Sequence, residues 1–115
     1  MKKLIALMAT AVLLAAFSIS TVGKKLPSVG YVLVGPKNDG GWSMRHYQGF
    51  MSLEKHGYNV SGVEMVPEAE STKVFRKLAR KHDIVFATSF GYMDGMVKAA
   101  KRDPNTIFLH ATGYK

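Results

Sequence analysis

The sequence predicts an α/β domain: a parallel sheet with helices on both faces and strand order 2-1-3-4. Three observations carry that prediction. Short apolar, β-rich runs alternate with segments of helical period. The helical segments are ten to fifteen residues long, which suits crossovers between parallel strands. Finally, right-handed crossovers in a βαβαβαβ chain favour the flavodoxin-like order.

The elements follow in order. Val29 to Val34 (VGYVLV) ends at Gly35-Pro36 and reads as a strand buried on both faces. Lys37 to Gly41 (KNDGG) is a loop by composition. From Trp42 the period becomes helical: Trp42, His46, Phe50 (or Gly49) and Leu53 share one face. Gly57 stops this helix after Lys55-His56. Tyr58 to Val66 alternates and ends at Pro67, a second strand placed at an edge.

Glu68 to His82 is the clearest helix, with acids preceding bases along it as the helix dipole favours. Val74, Phe75, Leu78 and Ala79 form its apolar stripe. Lys73, Arg76, Lys77, Arg80 and Lys81 form a basic stripe opposite. Asp83 to Thr88 is a third buried strand, and Ser89 to Tyr92 the loop after it. Met93 to Arg102 is a third helix, ended by Asp103-Pro104. Thr106 to His110 is a fourth strand, followed by the loop Ala111 to Lys115.

The chain has 115 residues, one domain's worth, and no cysteine. Disulfides, thiolate zinc sites and a cysteine nucleophile are therefore excluded. Sixteen Lys+Arg against eight Asp+Glu give a net charge of +8. Part of that charge belongs to an address. Lys2 and Lys3 precede an uncharged apolar run, Leu4 to Phe17, and then Ser18 and Ser20. This is the layout of a secretory signal peptide over residues 1–20, although a membrane anchor shares some of its features. The run is shorter than the roughly 18–20 residues that span a bilayer. Without a cysteine there is no lipid attachment, so the expected location is the periplasm. Removing the leader leaves about 95 residues and a net charge near +6.

Ligands of such sheets bind at the carboxyl ends of the strands, near the switch point between strands 1 and 3. Three loops meet there. In the first, Asp39 offers an acceptor, Gly40 and Gly41 permit close approach, and Trp42 offers a flat face for stacking. The same residues also serve a tight turn, an Asp cap and a core Trp. In the second loop, Ser89, Phe90 and Gly91 precede Asp94, which either binds a ligand hydroxyl or amine or caps the third helix. In the third, His110 at the end of strand 4 borders the pocket or is a half-buried strand-end histidine.

Several chemistries lack their signatures. No GxxxxGK[ST], GxGxxG or GxSxG occurs, and the four histidines show no metal-ligand spacing, so no cofactor or metal is expected. The basic stripe reads as a solvated helix face. It has no interleaved aromatic or base-reading residue, which argues against nucleic acid.

Together, GPKNDGGW (Gly35–Trp42), VPEAES (Val66–Ser71), TSFGYMD (Thr88–Asp94) and HATGYK (His110–Lys115) resemble the basic membrane protein family. These are type I periplasmic substrate-binding proteins of ABC importers, similar to purine-nucleoside receptors. The resemblance runs from about Lys25 to Lys115, in register with a βαβαβαβ unit. It implies a monomeric, non-enzymatic receptor for a purine base or nucleoside, partnered by a permease at the inner membrane. It implies that Trp42 stacks on the purine and that Asp39 and its glycines lie beneath the base. Asp94 matches the acid that holds ribose in nucleoside-binding relatives, and Ser89, Phe90 and Gly91 line the same wall. The HATGYK ending resembles the purine-base branch. The chain departs from the family pattern at Tyr47 and Phe50, where an acid and a base are expected.

Length is the larger departure. The family folds as two hinged lobes, so residues 21–115 are expected to be the N-terminal part of the first lobe, truncated. Such a fragment would bind weakly, since a pocket normally buries about 70–90% of its ligand. Two other readings compete: a small exported α/β enzyme acting on a nucleobase or nucleoside, and a non-functional remnant whose fourth strand is an exposed edge.

Overall fold

The computed structural model describes residues 23–115; the expected signal peptide, residues 1–20, lies outside them. Four strands, β1 (Val29–Val32), β2 (Val60–Val63), β3 (Ile84–Ala87) and β4 (Ile107–His110), alternate with three helices. The helices are α1 (Trp42–Lys55), α2 (Ser71–Ala79) and α3 (Met93–Arg102). All strands are parallel, in the order β2-β1-β3-β4, as the sequence predicts. Val29 sits in register with Val60 on one side and Ile84 on the other. This leaves β2 at an edge, as expected.

The strands are shorter than the apolar runs that announce them. β2 ends at Val63 because Met65 turns into the left-handed region at φ 58°, which no extended strand continues through. Past β1, Leu33 stays buried and its N–H still donates to Val63, but Val34 is exposed and leads into the Gly35-Pro36 turn. The helix expected over Glu68 to His82 is divided. Glu68–Glu70 form a 3₁₀ turn, α2 begins at Ser71, and Ala79 is its last α-helical residue. The Lys81 N–H donates back to the Leu78 carbonyl, three residues away, which closes the end as a turn. The loop expected at Ser89 to Tyr92 contains another 3₁₀ turn, Phe90–Tyr92, whose Gly91 N–H donates to the Ser89 hydroxyl. Met93–Arg102 is helical over the predicted span.

Helix α1 ends on Gly57 for a backbone reason. Gly57 has φ 91°; its N–H donates to Glu54 and the N–H of Tyr58 to Leu53. That is the paired closure of a Schellman turn, and it needs a residue tolerant of the left-handed region.

The core forms two layers about the sheet. Under α2 and α3 lie Val32, Val66, Phe75, Val85, Ala87, Tyr92 and Met96, among others. Phe75 and Tyr92 are fully buried and meet edge to face at 5.5 Å. The opposite layer, under α1, holds Val29, Tyr31, Leu33, Phe50 and Val60. Tyr31 stacks on Phe50 at 4.6 Å. A single helix on this face covers less of the sheet. Ile84 and Phe86 of β3 are half-buried there, and Ile107 and Leu109 of β4 are 57% and 41% exposed.

Candidate functional site

The three loops expected at the carboxyl ends of the strands do meet there, tied mainly by hydrogen bonds to main chain. After β1, the Gly35 N–H donates to the buried Ser43 hydroxyl at 3.0 Å. This fixes the start of α1 against the end of the strand. The Asp39 carboxylate then accepts the N–H groups of Gly41 (2.8 Å), Ser43 (3.0 Å) and Met44 (3.0 Å). These amides open α1, where no intrahelical carbonyl is available to them. Their hydrogen bonds, Met44 first and Gly41 next, hold the Asp39 carboxyl below the usual carboxylate range. Asp39 therefore caps the first turn of α1 from within the loop. The helix amides at this point are occupied by the chain itself. Gly40 and Gly41 beside it face open space.

Trp42, the first residue of α1, is not a core residue. The residue is 46% exposed. Its indole N–H donates to the main-chain carbonyl of Thr88, directly after β3. The Thr88 hydroxyl donates in turn to the Val32 carbonyl of β1 at 2.8 Å. The ring edge is thus anchored across the β1–β3 switch point. His46, one turn along α1, packs against the ring at 4.4 Å and donates from Nδ1 to the Trp42 carbonyl.

The loop after β3 is bonded on both sides. Besides Trp42 at Thr88, His110 of β4 donates from Nε2 to the Ser89 carbonyl at 2.5 Å. His110 thus braces the wall through main chain. Phe90 is 61% exposed and lies 5.9 Å from the ring of Tyr114. Asp94 lies in the first turn of α3 but makes no capping bond. Instead it pairs with Lys115, which holds its carboxyl below the usual range and raises the lysine.

The Glu68 side chain approaches Gly91 closely. A Cβ there would lie 1.6 Å from Glu68 Oε1, so the Glu68 carboxylate occupies the space a side chain would need. Glu68, Phe90, Gly91, Met93, Asp94, Tyr114 and Lys115 line a groove of about 280 Å³. Four of these, Glu68, Met93, Tyr114 and Lys115, are missing from the candidate set read from sequence, Met93 although it lies within TSFGYMD. Glu68 lies within VPEAES, and Tyr114 and Lys115 within HATGYK, so the motifs contained them. Their convergence on Asp94 and Gly91 depends on the loops folding over one another. A more apolar groove of about 440 Å³, lined by Arg45, His46, Phe50, Leu53 and Phe86 among others, lies against the incompletely covered sheet face. No group of His, Asp and Glu side chains that could hold a metal occurs among the described residues.

Aromatic faces, carboxylates and an amine thus gather at the carboxyl ends of a parallel sheet, where open α/β sheets take their ligands. The chain belongs to the PnrA-like family of ABC transporter substrate-binding proteins, whose model matches residues 26–115. It is 42% identical over 92 residues to a purine-binding protein of Brucella abortus, covering 76% of this chain and 26% of that one. It is 33% identical over 91 residues to a Haloferax volcanii protein that carries the name of an ABC transporter glucose-binding protein, covering 76% and 23%. The fold matches a solute-binding protein of an ABC transporter system from Conexibacter woesei at a TM-score of 0.67 and 20% identity, covering 72% of this chain and 28% of that one. A second such protein, from Aeropyrum pernix, gives 0.62 and 21%, covering 77% and 26%. The chain thus spans about a quarter of the length of these relatives.

Proposed function

We propose that this chain forms part of the ligand-binding wall of a purine receptor that serves an ABC importer. The observation that carries the reading is Trp42. Its indole N–H is fixed to Thr88 while the residue stays 46% exposed at the β1–β3 switch point. A flat, anchored, exposed aromatic residue suits stacking on a planar heterocycle. The identity to the Brucella purine-binding protein supports that ligand class.

In this reading Gly40 and Gly41 leave room for the ligand, and Asp39 acts by shaping the loop that presents Trp42. Ser89, Phe90, Gly91 and His110 form the adjoining wall. Asp94 receives a ligand hydroxyl or amine by exchanging its bond to Lys115. No bond is made or broken in the ligand. Residues 1–20 direct export to the periplasm, with cleavage after Ser18 or Ser20, and the mature chain is a monomer facing an inner-membrane permease. Residues 21–115 supply the N-terminal part of the first lobe. The exposure of Trp42 and Phe90 makes binding by this wall weak.

Trp42 is the sole tryptophan, so its fluorescence reports directly on the site. Titration with adenine, guanine and their nucleosides is expected to give weak, saturable quenching, with none from glucose. Saturable binding of glucose with no response to any purine would overturn the ligand assignment.

A further inference from the structure

We propose that the basic groove between α2 and α3 is a docking surface for an anionic lipid bilayer. Lys73, Arg76, Lys77 and Arg80 of α2 and Arg102 of α3 line an open depression of about 720 Å³. Lys73, Lys77, Arg80 and Arg102 are exposed. Arg76 is half-buried and neutralised by Asp103, 3.1 Å away. Among the described residues no other cation of the groove has an ion-pair partner, and Glu70 is the one acid in its lining. The groove therefore presents several uncompensated positive charges on one side of the molecule.

The shape and lining identify the partner. Lys73 and Arg80 are seven residues apart, about 10 Å along the helix. That span is too wide to close on a single phosphate and suits a row of them. The remaining lining residues, Ala69 and Thr72, are small. Duplex nucleic acid, whose phosphates also need only charge, is set aside by the proposed export. A protein partner would require an apolar or aromatic centre to the patch, and a single strand would want rings on which bases stack. The groove has neither. Attraction of Lys and Arg to anionic headgroups needs neither, because it is electrostatic and acts at the bilayer surface. Trp42 and the other candidate ligand residues stand at the carboxyl ends of the strands, outside this lining, so docking would leave them uncovered. The inference does not depend on the ligand of that site.

The test is co-sedimentation of the full chain with vesicles of phosphatidylcholine alone or with about one-third phosphatidylglycerol, in about 0.05 M and about 0.5 M salt. Subtracting binding to neutral vesicles removes the apolar contribution of the N-terminal run, and the contribution of Lys2 and Lys3 is common to the wild type and both variants. The wild type is expected to bind the anionic vesicles at low salt and to be released at high salt. The variant Lys73→Gln/Lys77→Gln/Arg80→Gln/Arg102→Gln is expected to lose at least about tenfold in partitioning. A control with equal charge change elsewhere, Lys24→Gln/Lys25→Gln/Arg45→Gln/Lys55→Gln, is expected to lose less than about twofold. Circular dichroism confirms that each variant is folded. Equal losses in the two variants, no preference for anionic vesicles, or binding to duplex DNA in place of vesicles would each overturn the proposal.

Discussion

Asp39 and Asp94 are exposed carboxylates at the carboxyl ends of neighbouring strands, yet they spend their charge differently. Asp39 accepts three amides of its own loop and helix, whereas Asp94 holds one long, exposed lysine. Both have pKa values below the ordinary carboxylate value in the folded chain. Their contribution to stability is present above the unfolded value near 4 and is lost as pH falls through the depressed folded values. Replacing Lys115→Met should bring Asp94 back toward the ordinary value and leave Asp39 where it is. Carboxyl chemical shifts followed against pH check this. Tyr92 shows the opposite sign. Burial first, and Glu68 second, push its hydroxyl up to about 12. The neutral form is the one that donates to the Val66 carbonyl at 2.5 Å. This contribution is complete below the unfolded value near 10 and is lost as pH rises toward 12. Tyr92→Phe should cost about 1–2 kcal/mol in urea unfolding at pH 7, because it orphans a buried carbonyl while keeping the ring. The candidate residues in the loops were legible as chemistry, since loops rich in Gly, Asp and aromatics end parallel strands. The partners were not. Nothing in a linear pattern pairs Lys115 with Asp94 or sets Glu68 against Gly91.

At the scale of elements, the sequence located every strand and helix of the described residues and misjudged several ends. Apolar residues outrun the β-ladder: Leu33 is buried and bonded beyond the last paired residue of β1, so composition alone extends the strand. Likewise a 3₁₀ turn at Glu68–Glu70 has the composition of a helical first turn, and only its backbone separates it from α2. The two ends of α1 were clearer because specific residues make them. Gly57→Ala would force a Cβ into the left-handed region and should destabilise the chain by about 1–2 kcal/mol, measured by urea unfolding. Asp39→Ala should loosen the other end. Amide exchange at Ser43 and Met44 is expected to accelerate selectively, with the amides of β3 retaining their protection.

For the whole molecule, the strand order was legible because handedness leaves few ways to thread a βαβαβαβ chain. The unequal cover of the two faces was not. It follows from two crossovers lying on one side and one on the other, which leaves Ile107 and Leu109 exposed beside the free edge of β4. Replacing both with threonine should lower binding of a hydrophobic dye while changing unfolding by no more than about 0.5 kcal/mol. The same architecture brings the three loops to one end of the sheet, and there Trp42 bears the main functional claim. Calorimetry of the wild type and of Trp42→Ala with adenine and guanine tests it most directly. The predicted result is weak one-to-one binding that falls by about 5- to 150-fold in the variant, the range expected when a stacked base loses its aromatic partner. Equal purine affinity in the two proteins would contradict it.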